Sequence, residues 1–303
     1  MSVGAAPEGV KPLLRSTAPT IDRTRLRRYR RHPGKGMMPG RAEPSMMGSA
    51  LAAIVKRDRA VAAAGVVALS GLAWLYLARL AGGMRAMPGM EAMEMAPEPW
   101  RASDAALALA MWAVMMVAMM LPSASPMILL FITIARTRAA AGGFTHLGLF
   151  VAGYLLVWGG FSVAATAGQW ALREAALLSE PAMKVAPRVG AAVLLVSGVY
   201  QLTPLKRACL ARCQSPLGFL LGEWRAGAAG ALRMGVRHGL FCLGCCWALM
   251  ALLFAGGVMN LAWIAAITAF VLAEKLLPAP RAISWMSGAV LIVWALAVFT
   301  RAG

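Results

Sequence analysis

From Val61 to Leu80 the chain reads VAAAGVVALSGLAWLYLARL, with one charged side chain, Arg79. Twenty helical residues extend about 30 Å, the thickness of a bilayer's hydrocarbon core. Several runs of similar character follow, and no other feature restricts the fold as tightly. The chain is 60% hydrophobic and 14% charged, whereas soluble domains are nearer 45–50% apolar and about 25% charged. The expected fold class is all-α, a polytopic membrane helix bundle.

Seven transmembrane helices are expected, at about 60–80, 105–121 (extending toward 135), 147–170, 187–204, 236–255, 258–274 and 282–300. Basic residues set the orientation of such a chain. Arg136 and Arg138, the six cations from Lys206 to Arg237, and Lys275 with Arg281 fall in connections on the side of the N-terminus. Weighed with the N-terminal segment, that side is the more basic, which puts the N-terminus inside and the C-terminus outside. Residues 1–57 include RTRLRRYRRHPGKG and hold much of the +18 net charge. With few large apolar side chains, they read as a disordered basic cytoplasmic tail attracted to anionic lipids. Residues 58–303 are then the transmembrane helical domain. The tail has neither stacking aromatics nor an RNA motif, so its charge does not point to nucleic acid. Its long basic stretch without an apolar core is unlike a cleaved signal peptide, and the first span is expected to remain as a signal anchor.

Two stretches depart from simple spans. Residues 105–135 would extend about 46 Å as one helix, but LPSASP interrupts them, Pro122 and Pro126 each removing a helix hydrogen bond. A long kinked helix is expected, with Ser123 and Ser125 satisfying freed carbonyls. Residues 218–239 look too polar to span and are expected to contain an interfacial helix on the inner side.

All five cysteines fall in two clusters. On a helix His238, Cys242, Cys245 and Cys246 share one broad stripe, and Cys209 and Cys213 share another face four residues apart. Thiolate and imidazole at these spacings suit Cu(I), or alternatively Zn(II). A thiolate in hydrocarbon is costly without a metal. A free cysteine is otherwise a small buried hydrophobe, and that packing reading suits an isolated one better than this grouping. A second constellation is thioether. Met111, Met115 and Met119 share a face of the second span, with Met116 and Met120 beside it, and methionine there also serves as core filler. Upstream, MRAMPGMEAMEM brings Met84, Met87, Met90, Met93 and Met95 into a short polar loop with no core to fill. Thioethers in such a loop suit Cu(I) capture. Glu274 and Lys275 end the sixth span, where snorkelling to the interface is expected, and His146 is expected at the inner interface. No P-loop, dinucleotide fingerprint, Ser-His-Asp arrangement or HExxH helix is present, and no catalytic residue is assigned.

The stretches MWAVMMVAMMLPSASP, YQLTPLKRACLARCQSPLGFLL, RMGVRHGLFCLGCCWALM and FAGGVMNLAWIAAITAFVLAEKLLP resemble a family of uncharacterised bacterial integral membrane proteins commonly labelled "predicted metal-binding". The resemblance covers about residues 105–280 and implies a multi-pass protein of the bacterial plasma (inner) membrane. The reading that results is a membrane protein binding Cu(I) for transport or for delivery to a metallochaperone or cuproenzyme. Two alternatives stand beside it: a membrane thiol-disulfide oxidoreductase using Cys242 and Cys245, and a non-metal scaffold of a membrane assembly.

Overall fold

The computed structural model describes residues 46–85, 101–138, 142–179, 183–278 and 280–301. The chain divides into two units, Met1–Ser49 and Ala50–Gly303. Of the first, only the opening residues of helix α1 are described, so the expected tail lies outside the described residues apart from Met46–Arg57, which is helical.

Ten helices are present among the described residues: α1 (Met46–Arg85), α2 (Ala102–Ser123), α3 (Ser125–Arg138), α4 (Gly143–Glu174), α5 (Pro187–Leu202), α6 (Pro204–Gln214), α7 (Pro216–Glu223), α8 (Gly227–Gly256), α9 (Leu261–Leu276) and α10 (Pro280–Arg301). Between α4 and α5, two-residue strands β1 (Leu178–Ser179) and β2 (Lys184–Val185) pair antiparallel. Their boundaries follow from local chemistry. Proline opens α5, α6, α7 and α10, where its missing N–H and fixed φ suit the first turn. Thr203 caps α6 by accepting from Lys206 N at 3.3 Å, and Asn260 caps α9 by accepting from Trp263 N at 3.3 Å.

Five helices, α1, α2, α4, α8 and α10, are long and apolar enough to cross a membrane; α5 and α6, bent by 67° at Thr203, could make a sixth. The seven-span expectation counted α5 and α9 as complete spans, but each has 16 residues, about 24 Å of helix. Pro204 stops α5, and the Leu277–Pro278 step stops α9. The polar stretch at 218–239 also differs from expectation. It looked too polar to span, yet after the end of short α7 it opens α8, which starts at Gly227 and is long and apolar enough to cross a membrane. Small residues there allow this: a Cβ on Gly235 would collide with the Phe150 carbonyl oxygen, and one on Gly153 with that of Leu232. The α4–α8 interface is the most extensive in the bundle, a small-residue contact of the kind that brings membrane helices together.

The α2–α3 run is broken only at Ala124. Pro122 deprives the Ala118 carbonyl of its helical donor, and Trp74 of α1 supplies one, its indole N–H donating at 3.1 Å. Ser123 donates to the Met120 carbonyl at 2.8 Å. The expected serine compensation thus acts at a neighbouring carbonyl, while a tryptophan from another helix takes the orphan. Asp58 of α1, 1% exposed, meets Arg136 of α3 at 2.5 Å, so the start of α1 and the end of α3 lie at the same end of the bundle.

Candidate metal centre

The centre lies near the midpoint of α8, against the α2–α3 junction. One stripe of α8 buries His238, Cys242, Cys245 and Cys246, none more than 3% exposed. From α6 comes Cys213, whose sulfur is 4.0 Å from Cys245 Sγ. From α2 comes Met120, whose Sδ is 4.0 Å from Cys246 Sγ. Two sulfurs sharing one ion at about 2.3 Å are at most about 4.6 Å apart, so each pair is spaced for a common metal. Among the described residues, no three His, Cys, Asp or Glu side chains are grouped closely enough to hold an ion as they stand. The hydrogen bonds indicate why. Cys245 and Cys246 both donate to the Cys242 carbonyl, at 3.1 and 2.9 Å, which turns their thiols back onto their own helix. A χ1 rotation of either would release its sulfur toward its neighbours.

Three further groups complete the surroundings. Lys275 of α9 donates to Cys242 Sγ at 3.1 Å and to Ser123 Oγ at 2.8 Å. Tyr154 of α4 donates to the Met120 carbonyl at 3.0 Å, and its oxygen lies 3.2 Å from Cys242 Sγ. Cys242 is therefore held between an ammonium and a phenol. The expectation that Glu274 and Lys275 snorkel to an interface is corrected: they are 2% and 8% exposed, because each finds a partner inside the bundle. Sequence reasoning passed over Tyr154, gave Ser123 only a carbonyl to satisfy and misread Lys275, although an ionisable residue in an apolar helix is a functional signal in itself.

His238, one turn before Cys242, stacks on Phe150 and Tyr154 at centroid distances of 6.0 and 5.6 Å and meets Phe219 edge-on at 5.5 Å. Its Nδ1 is buried without a hydrogen-bond partner. A buried nitrogen left so is costly and is chemically a vacant donor for a soft cation. Cys209, half-buried, lies one turn before Cys213 with its sulfur against Gly244 of α8, where an added Cβ would sit 2.7 Å from it. Met111, Met115 and Met119 are 5%, 0% and 0% exposed and pack in the core of α2. Met84 falls in the last turn of α1, and Met87, Met90, Met93 and Met95 lie outside the described residues.

The donor set of thiols, thioethers and one imidazole, shielded from water, matches the preferences of Cu(I). Among known proteins, a family model described as PpoB2, copper chaperone, matches residues 109–298. That segment contains every described element of the centre. No curated protein matches the chain, and no solved structure does. With more than half of its length matched, the chain belongs to the PpoB2 copper chaperone family.

Proposed function

We propose that this protein is an integral protein of the bacterial plasma membrane that holds Cu(I) in the α6–α8 sulfur centre and passes it to a metallochaperone or cuproenzyme. The observation that carries this reading is the convergence of Cys213, Cys242, Cys245, Cys246 and Met120 in the buried middle of a chain whose family is that of a copper chaperone. The basic connections and tail favour an N-terminus in the cytoplasm and contact with anionic lipids.

The chemistry is ligand exchange. Cu(I) bound by two thiolates carries one net negative charge, and the Lys275 ammonium beside Cys242 supplies the compensating positive charge. Tyr154 and Ser123 fix that corner, while Cys245 and Cys246 turn between their carbonyl and the ion, each thiol giving up its proton on binding and taking one back on release. A site whose ligands have an alternative hydrogen bond to return to can release its metal without stranding buried polar groups.

Copper-loaded protein, purified under reducing conditions, should retain about one Cu(I) in sulfur coordination by X-ray absorption. Cys242→Ser and Cys245→Ser should each abolish retention. Protein that keeps no copper while its thiols remain reduced would overturn the proposal. A Cys242–Cys245 disulfide trapped in cells, with copper retention unaffected by Cys213→Ser, would favour the oxidoreductase instead.

A further inference from the structure

We propose that Met111, Met183 and Met259 form a second soft-metal site, a thioether pocket at the end of the bundle where α1, α4 and α8 finish. The three come from separate segments: α2, the β1–β2 connection and the α8–α9 turn. They line one cavity of about 320 Å³, with Gln169 and Asp104 also on its wall. Each packs against the core on one side and borders open space on the other, a position that a methionine serving only as filler does not need.

The pocket is also built. Gln169, 3% exposed, donates from Nε2 to Met183 Sδ at 3.2 Å, while its Oε1 accepts from the Trp112 indole N–H at 2.8 Å. The indole fixes which way the amide points, and the amide fixes the thioether. Met183 holds φ of +48°, a conformation rare for side chains other than Gly, Asn and Asp, as though its placement outweighed local preference. Uncharged thioethers bind Cu(I) and Ag(I) and little else; the wall also carries Arg173 and Asp104, whose carboxylate accepts from the Arg101 N–H at 3.0 Å, so the preference rests on sulfur and not on charge.

Met111 is nine residues from Met120 on the α2 helix, about 14 Å. Met115, Met116 and Met119 lie buried between them, so sulfur recurs at every turn from the pocket to the cysteine centre. This inference rests on the copper reading for what arrives at the pocket and goes beyond it by placing a capture site at the opposite end of α2.

Thioethers bind no protons near neutral pH, whereas thiols must lose theirs to bind metal, and this separates the two sites. The test titrates Ag(I) alone into the full chain in detergent at about pH 5 and about pH 7.5, following bound silver and the methyl resonances of 13C-labelled methionine. At the lower pH about one silver should remain bound, with a minority of methionine methyls shifted. The triple variant Met111→Leu, Met183→Leu, Met259→Leu should lose that silver and keep the pH-sensitive binding. Silver binding at low pH unchanged in the triple variant would overturn the pocket. So would unshifted methyls in the wild-type chain, a readout that needs no variant to fold. Wild-type binding at neutral pH alone would sink the pocket and spare the cysteine centre; no binding at either pH would sink both.

Discussion

Glu274 and Lys275 are consecutive residues, both buried, and they serve opposite ends. Glu274 turns toward α6 and α10, accepting from Lys206 Nζ at 2.6 and 2.7 Å and from Ser284 Oγ at 2.8 Å. Lys206 is completed by the side-chain carbonyl of Gln201. Every strong group there has an opposite charge or a neutral partner, and the unit is closed. Lys275 turns instead toward Ser123 and Cys242, a hydroxyl and a thiol, neither of which is a fixed anion. A cation whose partner is a potential metal ligand rather than a carboxylate is open to that metal. One pair stitches helices together, and the other faces the proposed metal centre.

The same substitution at each lysine sharpens the contrast. Lys206→Met would leave the Glu274 carboxylate buried at 2% exposure without its cation. Breaking a buried pair from one side costs about 3–5 kcal/mol, so thermal unfolding in detergent should fall steeply. The double variant Lys206→Met, Glu274→Met should recover most of the loss, since replacing both partners is often neutral. A Lys206→Met protein as stable as the parent would break the comparison at its structural end.

Lys275→Met should do the reverse. The fold loses a costly ammonium rather than a salt bridge, so stability should hold or rise, while Cu(I) affinity should weaken by about 10–100-fold, the scale of outer-shell changes at metal sites. Lys275→Arg, which retains the charge, should restore part of it. Competition against a chromophoric Cu(I) chelator reads both. Unchanged affinity in Lys275→Met would show that the ammonium does not balance the bound ion.

The sequence carried the helical class and the α8 stripe, because both depend on local periodicity: apolar length for the one, and spacings of three and four for His238, Cys242, Cys245 and Cys246. It could not carry what two distant segments share. Tyr154 against Cys242, Trp74 on the Ala118 carbonyl, and Met183 with Met259 beside Met111 are separated by tens of residues and have no periodic signature. Lys275 was visible but misread, because near a helix end snorkelling and inward pairing look identical until the partner helix is placed. The α5–α6 bend was half legible, since Thr203-Pro204 announces a new helix but not its direction.

The smallest expected effect separates the two cysteines of α6, which spacing alone treats as equals. Both lie on one helical face, and a four-ligand site read from sequence would use both. In the bundle both are half-buried, but Cys213 approaches Cys245 at 4.0 Å, whereas Cys209 packs on the backbone at Gly244. Serine is smaller than cysteine and tolerated where water reaches, so Cys209→Ser should cost little stability. It should weaken Cu(I) binding by no more than about threefold, under 1 kcal/mol on the usual conversion. Cys213→Ser removes a sulfur already within bridging distance and should weaken it by about 100-fold or more, as loss of a direct ligand exceeds loss of an outer-shell partner. Parallel chelator competition on the two single variants checks the ratio. Equal losses would mean that α6 turns on metal binding to present both sulfurs, and the centre would then be assembled by the ion rather than waiting for it.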